Sequence, residues 1–226
     1  MTLPRWLGIT GYAGSGKDTV AQILQELAGY KRFALADRLK EMVYELNPWA
    51  SAPHDPPIPY TEPEHERLQT LVDEIGWDRA KRNYPEVRRL LQDFGVMMRA
   101  TDESFWINRM VESVDQHYRA FWHIPRESRL TVVPDVRFVN EAEWIRAQMV
   151  GQPRGRVIRV VRPSVGPLND HESEAGIPAH LIDYTIHNDG TTQDLADKVS
   201  TLLRELNPDA VSEANAAVQR AFERRD

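Results

Sequence analysis

The stretch "GYAGSGKDTVA", residues 11–21, decides the fold. Gly11, Gly16 and Lys17 satisfy the spacing G-x-x-x-x-G-K, in which a glycine-rich loop cradles phosphates with its backbone amides. Position 18, where Ser or Thr is expected, holds Asp18. Just before the loop, "WLGIT" (6–10) is a short apolar run of strand character. Just after it, Val20, Ile23, Leu24 and Leu27 recur at i, i+3, i+4 and i+7, the spacing of a helix with one buried face. Strand, loop and helix in this register aim the amides of residues 12–19 and the helix dipole at one point. That is an anion site, and Lys17 adds a mobile positive charge to it. A tight glycine turn without a ligand is the alternative.

Working outward, "YKRFALA" (30–36) predicts a second strand and "DRLKEMVYEL" (37–46) a helix opened by Asp37. Prolines crowd residues 48–63, "PWASAPHDPPIPYTEP", which predicts an irregular, exposed excursion. Residues 64–122 predict an all-helical middle, with Pro85 near the start of one helix and Asp102 capping the next. Beyond it, "RLTVVPDV" (129–136) predicts a strand and "NEAEWIRAQMV" (140–150) a helix, followed by strands at "GRVIRVVRP" (155–163) and "DYTIHND" (183–189). The closing helix starts at "TTQD" and buries Leu195, Val199, Leu202 and Leu206. Five strands with intervening helices predict an α/β fold: one domain through residue 206 whose parallel sheet is covered on both faces. The tail, 207–226, offers a further helix but no readable chemistry.

The bulk numbers narrow the function class. The 226 residues, 41% hydrophobic and 27% charged, suit a single globular core, and no apolar run approaches the ~18 residues that span a bilayer. No cysteine is present, so disulfides and thiolate metal sites are excluded, in keeping with an expected cytoplasmic location. The first residues read as a strand rather than a secretory signal. A net charge of -6 weighs against broad nucleic-acid binding but permits a local basic cleft for small phosphates.

Further chemistry gathers where strands end. In an open α/β sheet, ligands bind beyond the carboxyl ends of the strands, so Asp135 and Arg137 of "VVPDVRF" are expected in the same crevice as the glycine loop. Asp135 is suited to hold Mg²⁺ directly or through water, and Arg137 to grip a phosphate bidentately. An exposed Asp–Arg pair of little energetic weight is the alternative. In "RLLQDFGVMMR", Gln92 can read a base edge and Arg99 can hold a phosphate, while Trp106 suits either a base pocket or the core. The loop that follows "RVIRVVRP", a lid of about residues 163–180 introduced by Arg162 and containing His171, Glu172 and Glu174, has the make-up to bring charge onto a reacting phosphate. Phosphoryl transfer asks for positioning and charge neutralisation, and no second histidine lies at metal-ligand spacing. Asn188 follows the last strand, where adenine would reach; a plain "NDG" turn is the alternative.

Taken in order, "SGKDT", "ALADRLK", "VRRLLQDFG", "VVPDVRF", "VIRVVRP", "HESEAGIP" and "NDG" make the chain resemble the phage-type deoxynucleoside monophosphate kinases of the P-loop nucleotide kinase superfamily. The likeness runs from "GYAGSGKDTVA" to "IHNDGTTQDL". It implies a five-stranded parallel sheet of order 2-3-1-4-5, a homodimer, and Mg²⁺-assisted transfer of the ATP γ-phosphate to a deoxynucleoside monophosphate. By resemblance, Ala13, Gly14, Ser15, Gly16, Lys17, Asp18, Thr19 and Asn188 bind ATP. Asp37, Lys40, Gln92, Arg99, Trp106, Arg137 and Glu174 bind the monophosphate, and Lys17, Asp135, Arg137 and Arg162 act in catalysis.

The motif "GKDT" resembles the "GKGT" of kinases related to adenylate kinase, with Thr19 in the hydroxyl role. Asp18 and Asp135 would then hold hydrated Mg²⁺, a role as helix N-terminal residue being the alternative for Asp18. The chain departs from the family at Val96, where Thr is commoner, and at the proline-rich insert. Both departures bear on the base accepted rather than on the reaction. A kinase for another phosphate acceptor, of the phosphomevalonate or dephospho-coenzyme A type, stays open. A nucleotide-dependent switch that reads ATP or GTP and signals through a partner is the other alternative, against which stands the absence of an N-K-x-D guanine-reading motif.

Overall fold

The computed structural model describes residues 3–52, 64–125, 128–148, 154–167 and 171–207. The chain divides into two compact units, one comprising Met1–Ala34 with Glu112–Asp226 and the other Leu35–Val111.

The first unit is built on a parallel sheet. Its strands are β1 (Trp6–Thr10), β2 (Lys31–Arg32), β5 (Thr131–Val133), β6 (Arg156–Val161) and β7 (Tyr184–His187), in the order β2-β5-β1-β6-β7. Two further strands, β3 (Trp49–Ala52) and β4 (Glu64–Arg67), form a separate hairpin in the second unit, for which the expected order of five strands had no place. Strand β1 is buried along its whole length because it lies between β5 and β6, with Leu7 opposite Val132 and Gly8 opposite Val157. Its residues alternate between the two faces, as the two-residue period of a strand requires. Leu7 and Ile9 pack with Val20 and Leu24 of α1 (Lys17–Ala28) and with Leu195, Val199, Leu202 and Leu206 of α7 (Thr192–Leu206). Trp6 meets Trp144 of α6 (Val139–Ala147) edge-on at 4.9 Å.

Helix α7 starts as its sequence predicts: the Thr191 hydroxyl accepts from the Asp194 amide, and Asp194 returns a carboxylate to the Thr191 amide. The expectation for Leu27 fails. It is 55% exposed, while Val20, Ala21, Ile23 and Leu24 make the buried apolar stripe of α1.

The second strand is also shorter than expected. It ends at Arg32, and α2 (Leu35–Leu46) begins two residues before Asp37. The run "LADRLK" consists largely of strong helix formers, so the helix extends backwards and leaves Asp37 in its first turn, where the dipole still favours a carboxylate.

The second unit contains α2, α3 (Leu68–Asn83), α4 (Pro85–Thr101) and the hairpin of β3 (Trp49–Ala52) and β4 (Glu64–Arg67). Helix α5 (Phe105–Ala120) carries residues of both units. The hairpin corrects two expectations, that residues 48–63 are irregular throughout and that 64–122 are all helical. Trp49 pairs with Arg67 and Ala52 with Glu64 in antiparallel register. Pro48 and Pro63 flank the strands without interrupting them, so no ladder amide is lost. The Ser51 amide is further held by the Glu86 carboxylate at 2.8 Å, and the Arg67 guanidinium lies 4.2 Å from the Trp49 ring centre. The unit has its own core of Val43, Leu68, Leu71, Val87 and Leu91. Residues 53–63 and the tail from 208 lie outside the described residues. Among the described residues, no helix is long and apolar enough to cross a membrane.

Candidate active site

The carboxyl ends of β1, β5, β6 and β7 carry the sequence-derived residues of the first unit. Gly11 has φ 142°, and a Cβ there would clash with the Val160 carbonyl and reach within 2.8 Å of the Ser15 hydroxyl. Gly16, at φ 101°, caps α1 with no side-chain hydrogen bond. The first-turn amides, which have no partner within a helix, are therefore not consumed by a cap. The Ser15 hydroxyl is buried and has no hydrogen-bond partner. Ala13 and Thr19 are half-buried, and Gly14 and Asp18 are exposed.

Lys17 is buried at 8% exposure, and its ammonium donates to the Tyr12 carbonyl at 2.7 Å. Burial pulls its pKa below the ordinary lysine value and the nearby Arg137 adds to this, while Asp18, Glu174 and Asp135 act in the opposite sense. Lys17, Arg137, Asp18, Glu174 and Asp135 thus form one electrostatic neighbourhood, with cations and carboxylates drawn from three chain segments.

Arg137 is the best-anchored cation of the group. Its Nη1 donates to Glu174 Oε1 at 2.7 Å and to the Ser173 carbonyl and hydroxyl, each at 3.3 Å. The Glu174 side chain is 4% exposed and that of Arg137 36%, so the pair is rooted inside and opens outward. The backbone of Arg137 is fixed as well: Glu141 accepts from its amide at 2.8 Å and from that of Phe138 at 3.1 Å, closing the amino end of α6. Asp135 is half-buried in the turn between β5 and Arg137, where the Val136 amide donates to the Ile9 carbonyl and ties this turn to β1.

Asn188 does not simply line an open pocket. Its amide donates to the Ser15 carbonyl at 2.9 Å and fills the space that a side chain at Gly16 would need. Arg162 is exposed directly after β6. In the segment between β6 and β7, the His171 Nδ1 accepts from the Ser173 amide at 3.1 Å and lies 2.9 Å from the Ser173 hydroxyl.

The remaining candidates belong to the second unit. Asp37 and Lys40 sit half-buried on α2. Gln92 and Arg99, half-buried on α4, are seven residues apart and so share a helix face. Trp106 is 3% exposed and its indole N–H donates to the Gly95 carbonyl at 3.1 Å, which makes it a packing residue supporting α4. Sequence reasoning missed Tyr12, Glu141 and Ser173. For Glu141 a signal existed, an acidic residue three positions after the residue that precedes a helix. Tyr12 acts through its carbonyl and Ser173 through a loop contact, neither of which has a sequence signature.

Among the described residues, no three His, Cys, Asp or Glu side chains gather as a metal cage. The oxygen donors around Lys17 are the carboxylates of Asp18, Glu174 and Asp135, with the Thr19 hydroxyl two residues along the loop. Such a set fits Mg²⁺, a hard cation that keeps water and phosphate oxygens in most of its shell. A groove of about 690 Å³ along β7 and α7 is lined by Asp189, Asp194, Asp197 and Glu205 with a single Lys198, a charge balance unsuited to a phosphate.

Comparison with known proteins places this geometry in context. Residues 64–199 match the family described as Deoxynucleotide monophosphate kinase. The deoxynucleotide monophosphate kinase of Escherichia phage RB69 is 31% identical over 120 residues, covering 52% of this chain and 45% of that one. The enzyme of the same name from Enterobacteria phage T4 is 29% identical over 123 residues, 53% and 46% of the two chains. The chain spans about half the length of these curated relatives in the matched region. A shikimate kinase structure from Acinetobacter baumannii, in complex with shikimate, aligns over 91% of this chain and 96% of that one, with TM-score 0.40 and 15% identity.

Proposed function

The chain belongs to the deoxynucleotide monophosphate kinase family, and we propose that it transfers the γ-phosphate of ATP to a deoxynucleoside monophosphate, giving the diphosphate and ADP. The observation that carries this reading is the meeting of buried Lys17, at the head of an uncapped helix, with Arg137 anchored on Glu174. Bringing a monophosphate to a triphosphate opposes like charges, about 4 kcal/mol per unit pair at 4 Å and an effective dielectric of 20. Two fixed cations at the strand ends, with exposed Arg162 nearby in the chain, offset that repulsion where it develops.

In this reading the loop amides of Ala13 to Thr19 and Lys17 hold the ATP phosphates, while Asn188 braces the loop from behind. Arg137 bridges the two nucleotides. Mg²⁺ would be held through water by Asp18 and Asp135, supplying further charge neutralisation when bound. Asp37, Lys40, Gln92 and Arg99 contact the acceptor, and Trp106 supports that wall from the core. A homodimer is part of the same reading, to be checked by sedimentation.

The test is ADP release with Mg-ATP over a panel of deoxy- and ribonucleoside monophosphates. Stimulation by one or more deoxynucleoside monophosphates is expected. Equal ADP release with and without acceptor overturns the proposal, and stimulation by a different class of phosphate acceptor redirects it.

A further inference from the structure

The lid segment holds a histidine and a serine that the reaction as described does not use. We infer that Ser173, set by His171, is a positioning residue that presents the Nε–Nη2 edge of Arg137 to phosphate; this rests on the kinase reading above.

Nη1 of a guanidinium carries two hydrogens. On Arg137 they face three acceptors: the Glu174 carboxylate, the Ser173 carbonyl and the Ser173 hydroxyl. Among the described residues, Nε and Nη2 of Arg137 have no hydrogen bond. One edge of the plane is therefore tied to the lid, while the Nε–Nη2 edge, which matches the two oxygens of a phosphate, is left available.

The Ser173 hydroxyl can accept from Arg137 only if its own proton points elsewhere, and His171 provides the place. The Ser173 amide donates to His171 Nδ1, so that nitrogen is the acceptor and the ring proton belongs on Nε2. The hydroxyl, 2.9 Å from the same Nδ1, donates there and turns its lone pairs to Arg137. His171 thus fixes a rotor rather than moving a proton, and its Nδ1 lone pair is not open to act as a base. Glu174, assigned by resemblance to the monophosphate, becomes the buried anchor of the arginine. With Glu141 on the backbone of Arg137, the guanidinium is set from both ends, which limits the reorganisation needed at the moment of transfer.

Two measurements on the full chain test this. Losing one charge-assisted hydrogen bond in Ser173→Ala is expected to lower kcat about tenfold, with the ATP KM and thermal midpoint near wild type. Ser173→Thr, which keeps the hydroxyl, restores most of the rate, and His171→Ala falls in the same direction as Ser173→Ala. Adding Ser173→Ala to Arg137→Ala costs nothing further, because Ser173 acts through Arg137. In the unliganded protein, ¹⁵N NMR of arginine side chains resolves separate Nη1 and Nη2 signals for Arg137, identified by their loss in Arg137→Lys. Those signals merge in Ser173→Ala.

A wild-type kcat in Ser173→Ala, an equal loss in the Arg137→Ala background, or merged Arg137 signals in the wild type each overturn the positioning role. Absence of acceptor-stimulated turnover in the wild type, with the Arg137 signals separate, overturns the kinase reading instead.

Discussion

At the amino-terminal end of the parallel sheet, Arg146, Arg154 and Arg156 gather on one carboxylate, Asp183; at the carboxyl-terminal end, Arg137 meets Glu174 and little else. Asp183 immediately precedes β7, and its Oδ2 accepts from the Val157 amide at 2.9 Å. Its Oδ1 takes Arg154 at 3.2 Å and Arg146 at 3.4 Å, with Arg156 at 3.8 Å, and Arg146 also donates to the His180 carbonyl at 2.8 Å. Three hydrogen bonds and a further ion pair converge on that carboxylate, and the cluster clasps β6, β7 and α6 together. At the other end the ratio is reversed: a buried carboxylate ties one nitrogen of a half-exposed arginine and leaves the rest unengaged. Similar residue types make a clasp in one place and an open guanidinium edge in the other, and the difference lies in how many cations share the carboxylate.

That contrast can be broken by exchanging the readouts. Arg137→Ala is expected to lower kcat about a thousandfold, in the range of arginines that meet transferred phosphate, while leaving the thermal midpoint almost in place. A large fall in stability with kcat retained would make Arg137 a second clasp. Asp183→Ala should do the reverse and cost about 2 kcal/mol in denaturant unfolding, since it orphans the Val157 amide and leaves three guanidiniums facing one another. The figure is held below that for a fully buried pair because the arginines are partly exposed. Its kcat per folded molecule should stay near wild type; a collapse of kcat at unchanged stability would move the active chemistry to the wrong end of the sheet.

A smaller effect separates the two ends by pH. Burial, with Arg137 nearby, lowers the pKa of Lys17 in the free protein, and an arriving polyphosphate raises it again by adding negative charge beside it. In the alkaline window between the lowered and the raised values, ATP binding takes up a proton, and affinity falls as pH rises through the lowered one. Calorimetric titration in alkaline buffers of different ionisation enthalpy reads the sign directly; proton release on binding contradicts it. The smallest effect belongs to Leu27→Gln, expected to change stability by no more than about 0.5 kcal/mol because that side chain is already in solvent.

Much of this was legible because local rules and global fold agree in the first unit. The loop from Gly11 to Thr19 could be read between a strand and a helix, and the apolar periodicity of residues 195–206 specified which face of α7 is buried. Legibility ran out where side chains act through others. Trp106 has equal claims to a pocket and a core by its type alone, and only the Gly95 carbonyl beneath its indole decides between them. Asn188 looks like a ligand contact by position, yet its amide is turned to the Ser15 carbonyl. The hairpin at 49–67 was hidden because prolines that flank two strands resemble prolines that forbid them.

By itself, the sequence determined the glycine loop between strand and helix, the parallel α/β arrangement and the identity of the cations at the strand ends. These follow from spacing, periodicity and chirality, which act over a few residues. Tertiary structure alone decided that Glu174 roots Arg137, that Arg137 also reaches Ser173, and that three arginines gather on Asp183. The contact of His171 with Ser173 is local, but those outcomes depend on hydrogen bonds between groups 26 to 37 positions apart, and no local rule reaches across that distance.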